Sequence, residues 1–294
     1  MKNISLITLF ILYINLCYSQ NLKIVDSSTK APIPYTSIYM LLNNEVIAGL
    51  SGDENGDAIL NNQKFETLKI TCIGYADLLI SKDQITDVID LKSVTINLQE
   101  VYISNRTKTI DYKGKKGRYL GMLKDVEDIL YFNNTYNKSV RIKSFSITTK
   151  KTIVENTIRI VMYRVTDPIH HRKPGESLLN RDIVFTLATG KEGTTTIDLT
   201  EYNIELPLEG AYMGIDVINV RDINGNYSYD KNHMNEFETV KSREKIFLAN
   251  HKYTSRGWQN LNFYWQESFK QHPNISNQKK HFVIPAFSIE VYTD

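Results

Sequence analysis

Val25-Asp26-Ser27-Ser28-Thr29-Lys30-Ala31-Pro32-Ile33-Pro34-Tyr35 opens the stretch whose reading decides the fold, a polar turn closing on two prolines. The apolar run 36–42 follows, then the turn cluster Ser51-Gly52-Asp53-Glu54-Asn55-Gly56-Asp57, then Leu68-Lys69-Ile70-Thr71-Cys72-Ile73-Gly74-Tyr75. Short apolar runs separated by Gly, Pro, Asn and Asp read as strand, turn, strand, the pattern of a small β-sandwich.

Working outward, residues 22–25 form a first strand and 38–42 a second, with apolar side chains on both faces. Asn43-Asn44 is a turn, 46–50 a third strand and 57–60 a fourth after Asn55-Gly56. Residues 68–73 and 76–80 continue the set, 83–91 is one helical turn or a loop, and Val94, Ile96 and Leu98 close it by strict alternation. In 68–72, Leu68, Ile70 and Cys72 share the core-facing side, so Cys72 reads as a small buried apolar residue rather than a nucleophile.

As an ordered set, Asp26, Pro34, Ser37-Ile38, Asp53, Gly56, Ala58, Leu60, Ile70 and Gly74-Tyr75 resemble the carboxypeptidase-like regulatory domain, a transthyretin-like Greek-key β-sandwich. The resemblance implies a fold and an exported bacterial setting. In true peptidases this module is the non-catalytic part. The segment Leu98-Gln99-Glu100-Val101-Tyr102-Ile103 is also similar to the junction that leads into the plug and barrel of large outer-membrane receptors. About 190 residues follow here, whereas such a barrel needs about 22 membrane strands, so a transporter is not expected.

Residues 1–19 carry a basic start at Lys2, an apolar run over 4–16 and small residues at Cys17 and Ser19. That is the grammar of a secretory signal peptide cleaved before Gln20, and the apolar part is too short to span a bilayer. Ile14-Asn15-Leu16 lacks the small residues that acylation of Cys17 would need. The mature chain keeps Cys72 alone, so packing rather than disulfides stabilises it. A formal net charge of +2 over 294 residues gives no whole-protein field that attracts nucleic acid or membrane. The 41% hydrophobic content allows two cored domains.

The expected organisation is a signal peptide over 1–19, the regulatory-type sandwich over 20–103, a basic linker over 104–119 and a second domain over 120–294. The linker holds Arg106, Lys108, Lys113, Lys115, Lys116 and Arg118 against Asp111, and a solvated hinge is its default reading. Residues 120–131 read as a short amphipathic helix with Leu123, Val126, Ile129 and Leu130 on one side. Strands follow at 140–148, 157–166, 183–187, 194–199, 212–220 and 287–292, with a long loop over 168–181. The order Arg159-Ile160, Met162-Tyr163, Val165, then 174–179, then Asp198-Leu199, resembles a β-sandwich that accompanies such modules in bacterial envelope proteins. It implies a jelly-roll-like second sandwich. The whole chain is expected to be all-β.

A search for chemistry finds little. His170, His171, His233, His251, His272 and His281 show none of the spacings of a catalytic zinc site. No nucleophile elbow, phosphate loop or dinucleotide fingerprint is present. Asp222-Ile223-Asn224-Gly225-Asn226-Tyr227-Ser228-Tyr229-Asp230 begins like a calcium loop but has Tyr227 and His233 where Gly and Glu are needed. No catalytic residue, metal or cofactor is therefore expected. The aromatic group Tyr253, Trp258, Tyr264 and Trp265 is the one candidate ligand-binding surface, with core packing as the commoner use of such residues. Alternation assigns Trp265 to the core with Leu261 and Phe263. Trp258, after Gly257 in an expected loop, is the best exposed candidate, with Tyr253 and Tyr264 beside it.

The reading is a non-catalytic, exported two-domain β protein with a structural or interaction role at a Gram-negative cell envelope, periplasmic or at the outer membrane. Its partner would be a protein or glycan, not nucleic acid, and the mature chain has no transmembrane segment. A carbohydrate- or peptide-binding module for nutrient capture is the alternative.

Overall fold

The computed structural model describes residues 20–60, 63–94, 106–166, 173–221, 234–244, 246–260 and 282–293. The expected signal peptide, the alternation at Ile96 and Leu98, the calcium-like loop, Tyr264, Trp265 and every histidine except His251 lie outside the described residues. The chain is all-β; among the described residues the only helical turns are two short 3₁₀ segments, Lys82–Gln84 and Thr200–Tyr202. No helix among them is long and apolar enough to cross a membrane. The chain divides into two compact units, Met1–Thr95 with Tyr253–Ser255, and Ile96–Lys252 with Arg256–Asp294.

The first unit has seven strands: β1 (Gln20–Asp26), β2 (Ser37–Leu42), β3 (Glu45–Ser51), β4 (Asp57–Leu60), β5 (Thr67–Thr71), β6 (Leu78–Ser81) and β7 (Val88–Leu91). They form two sheets, in the orders β4-β1-β7 and β3-β2-β5-β6. Leu22, Ile24, Leu60, Ile89 and Leu91 from one sheet and Ile38, Met40, Leu68 and Ile70 from the other make a single buried core. Half-buried Cys72 packs against it.

The turns explain the residue pattern. Asp26 Oδ1 accepts hydrogen bonds from Ser28 N, Ser28 Oγ and Thr29 N at 2.8, 2.6 and 2.8 Å. The Ser28 hydroxyl first, then these amides, hold its carboxyl far below the usual carboxylate range. Asp53 Oδ1 binds the amides of Asn55 and Asp57, both at 2.8 Å. Gly56 has φ +75°, and a Cβ there would run into the Ile24 and Ile33 backbone, so only glycine fits. Asn43 and Asn44, with φ of 52° and 62°, make the two-residue turn between β2 and β3. The stretch 83–91 resolves into the tail of a 3₁₀ turn and β7, which runs parallel to β1.

The second unit opens with β8 (Thr107–Asp111), β9 (Leu120–Gly121), β10 (Val126–Phe132), β11 (Val140–Thr149), β12 (Glu155–Thr166) and β13 (Lys173–Ser177). Then come β14 (Val184–Leu187), β15 (Gly193–Asp198), β16 (Glu205–Leu206), β17 (Ala211–Arg221), β18 (Glu236–Phe237) and β19 (Thr239–Ser242). It ends with β20 (Phe247–His251), β21 (Trp258–Asn260), β22 (Phe282–Pro285) and β23 (Ser288–Tyr292). One large sheet runs β13-β12-β17-β10-β20-β21, with β14 also on β12. The other runs β8-β23-β11-β18-β9, with β15 and β16 also on β11, and β19 pairs β22.

Three expectations are corrected. The helix over 120–131 does not form: those residues give β9 and β10. Every residue of β10 is buried and its backbone pairs with β17 on one side and β20 on the other. Its apolar residues met the helical template by coincidence, because a strand buried on both faces loses strict alternation. Within the 104–119 linker, Thr107–Asp111 is β8, paired along its length with β23. The Gly117 amide donates to the Thr239 carbonyl at 2.7 Å, so this stretch belongs to the second unit's sheets. Part of the 168–181 loop is β13, antiparallel to β12.

Candidate functional site

The large sheet of the second unit carries one unusual row. Strand register aligns Arg159 on β12 with Asp216 on β17, Asp216 with Glu127 on β10, Glu127 with Asn250 on β20, and Asn250 with Trp258 on β21. Residues in register share a face, so a polar row crosses four strands and ends on an indole. Arg159, Asp216 and Glu127 are buried. Arg159 and Asp216 sit inside apolar runs, Ile158-Arg159-Ile160 and Ile215-Asp216-Val217, so the strand that buries each is built by its neighbours, whereas Glu127 stands between Val126 and Asp128.

Ion pairs link the charged end of the row. Arg159 Nη1 reaches Asp216 Oδ2 at 3.2 Å and its Nη2 reaches Asp182 Oδ2 at 3.0 Å. Lys252, two residues beyond Asn250, places Nζ 2.8 Å from Asp216 Oδ2. Asp216 thus sits between two buried cations, an arrangement that is costly to break from one side. Burial raises the Asp182 carboxyl, and the Arg159 guanidinium opposes the rise.

Glu127 is the hinge between this charged end and the aromatic end. Its Oε1 accepts the Tyr163 hydroxyl at 2.7 Å and its Oε2 accepts Asn250 Nδ2 at 2.9 Å. Burial first, and the Asp216 charge second, push its carboxyl above the ordinary range. The Tyr163 ring, with its hydroxyl tied inward, meets Trp258 edge to face at 5.3 Å between centroids. Both rings are half-buried. The next residue, Asp128, faces the opposite side, in register with Ile215 and Ala249. Burial, with the Glu127 charge added, pushes it up to about 8.

The sequence-nominated aromatics separate. Trp258 is not in a loop; it begins β21 and its neighbour is Tyr163, which sequence reasoning did not nominate. Tyr253 belongs to the first unit, where its ring packs edge-on to Tyr39 at 5.2 Å and its hydroxyl lies 2.8 Å from Ser51 Oγ. A Cβ at Gly49 would collide with that ring, so glycine leaves its space. Tyr264 lies outside the described residues. No local signal marked Tyr163, Glu127 or Asn250: Asp128 follows Glu127 directly, and the other two are uncharged.

Among the described residues no group of His, Cys, Asp and Glu is arranged to hold a metal ion. The row offers two chemical capacities: a closed ion network that fixes strand register, and a half-open aromatic pair backed by a buried carboxyl and a carboxamide. No protein-family model, curated protein or solved structure matches the chain.

Proposed function

We propose that this chain is a non-catalytic two-domain β protein exported to a Gram-negative cell envelope, where it acts by interaction. Its first unit is read as a transthyretin-like module of the carboxypeptidase-like regulatory kind and its second as a jelly-roll-like sandwich. One observation carries the interaction role. The large apolar side chains that the first unit's strands expose, Ile47, Ile59, Leu79 and Val88, lie on β3, β4, β6 and β7. Those are the four end strands of its two sheets. An end strand that also exposes a large apolar side chain is a template for a further strand, so the occupant is an extended segment of a protein partner. The regulatory-type reading is supported by Asp26, Asp53 and Gly56 in turn-forming roles, with Ile38, Leu60 and Ile70 in the core. Cell fractionation tests the setting. The chain is expected in the envelope fraction with Gln20 as its first residue; a cytoplasmic chain retaining residues 1–19 would refute it.

A second reading, a glycan- or peptide-binding module, is favoured by the Trp258–Tyr163 pair alone. On glycan and peptide arrays, Trp258→Ala should abolish retention, while Tyr163→Phe, which keeps the ring, should weaken it less. Retention unchanged in Trp258→Ala would end this reading.

A further inference from the structure

The basic stretch 113–118 has a partner strand. Lys116 forms an antiparallel bridge with Val240, and the Lys241 amide donates to the Lys115 carbonyl at 2.8 Å. A Cβ on Gly114 would strike the Lys241 carbonyl, which shows how closely the two backbones approach. The pairing sets Lys115 directly against Lys241, with Lys113 two residues before the one and Arg243 two residues after the other. All four side chains are exposed.

The neighbouring cations are treated differently. Lys116 pairs with Glu238 at 3.0 Å and Lys150 with Glu236 at 3.0 Å. Among the described residues Lys113, Lys115, Lys241 and Arg243 have no ion-pair partner, and the nearby acids Asp111 and Glu244 make none with them. Like charges set opposite one another across paired strands repel. A fold that pairs two cations with acids and leaves these four exposed ones without an ion pair has a surface suited to an external anion.

We propose that Lys113, Lys115, Lys241 and Arg243 form a docking patch for the phosphate headgroups of an anionic membrane surface. The choice of partner rests on the envelope reading. The surroundings also disfavour single-stranded nucleic acid, which needs free aromatic faces for stacking. Tyr119 already has Lys116 Nζ at 4.9 Å and Lys150 Nζ at 5.7 Å from its ring centroid, and Tyr112, beside Lys113, packs on Phe132 at 6.3 Å between centroids. With a net charge of +2 on the whole chain, attraction is confined to the patch.

The test is co-flotation of the purified full chain with phosphatidylcholine vesicles containing or lacking phosphatidylglycerol. Binding is expected only with phosphatidylglycerol and should be lost in high salt. Lys115→Gln with Lys241→Gln should weaken it roughly 30-fold, from the usual contribution per cation near an anionic surface. Lys116→Gln with Lys150→Gln, an equal change of charge, should leave it within about twofold of wild type. The first pair should melt no lower than wild type at low salt, because repulsion is relieved. Equal losses from both pairs, no vesicle binding, or equally tight binding to DNA would overturn the proposal. Because vesicle binding is read on purified protein, its failure is distinct from a cytoplasmic result in fractionation.

Discussion

Glu127 and Asp128 are consecutive carboxyl groups in a strand with no exposed residue, and they are buried by opposite means. Glu127 has the Tyr163 hydroxyl and the Asn250 carboxamide as donors. Asp128 has Ile215 and Ala249 beside it, and its carboxyl is pushed up to about 8. The folded state therefore holds the Asp128 proton that the unfolded chain, titrating at the ordinary carboxylate value, releases. The contribution of this group to stability is fully present below about pH 4 and is lost as pH rises towards 8. Within that interval each pH unit costs about 1.4 kcal/mol. Asp128→Asn removes the titration, so its denaturant midpoint should fall less than wild type between about pH 5 and about pH 8. Parallel midpoints for the two proteins would show that Asp128 is not titrating in the buried state. Single residues were legible in the sequence wherever they obeyed local rules, as Asp26, Asp53 and Gly56 do in their turns. The role of Glu127 was not, since its donors come from residues 163 and 250 and no local pattern joins them.

At the scale of elements, the sequence was readable where one face of a strand meets water. β4 alternates exposed and buried residues, and 57–60 is a strand by both routes. β10 and β17 are buried almost throughout, so alternation is absent. For 126–132 a spurious helical stripe filled the gap. The basic stretch failed for another reason. Its charges and glycines suit a hinge, yet Gly114 and Gly117 allow the chain to lie close against Lys241 and Thr239, and the lysines point to solvent from a paired backbone. Composition reports what side chains prefer; it does not report a backbone partner more than a hundred residues away.

For the whole molecule, the all-β class and the positions of most strands follow from periodicity and turn chemistry. The row from Arg159 to Trp258 needs five strands in correct register and could be seen only in three dimensions. The proposed interaction role rests on the first unit, whose four end strands each present one large exposed apolar residue. Ile59 and Leu79 are the most exposed of these, at 60% and 65%, so a lysine at either position is solvated and does not disturb the core. A charge on an end strand blocks addition of a further strand. The direct measurement is cross-linking in intact cells of the wild-type chain and of Ile59→Lys/Leu79→Lys. The account predicts a higher-mass envelope species for wild type that disappears in the double variant at unchanged melting temperature. The same cross-linked species in both proteins would contradict it.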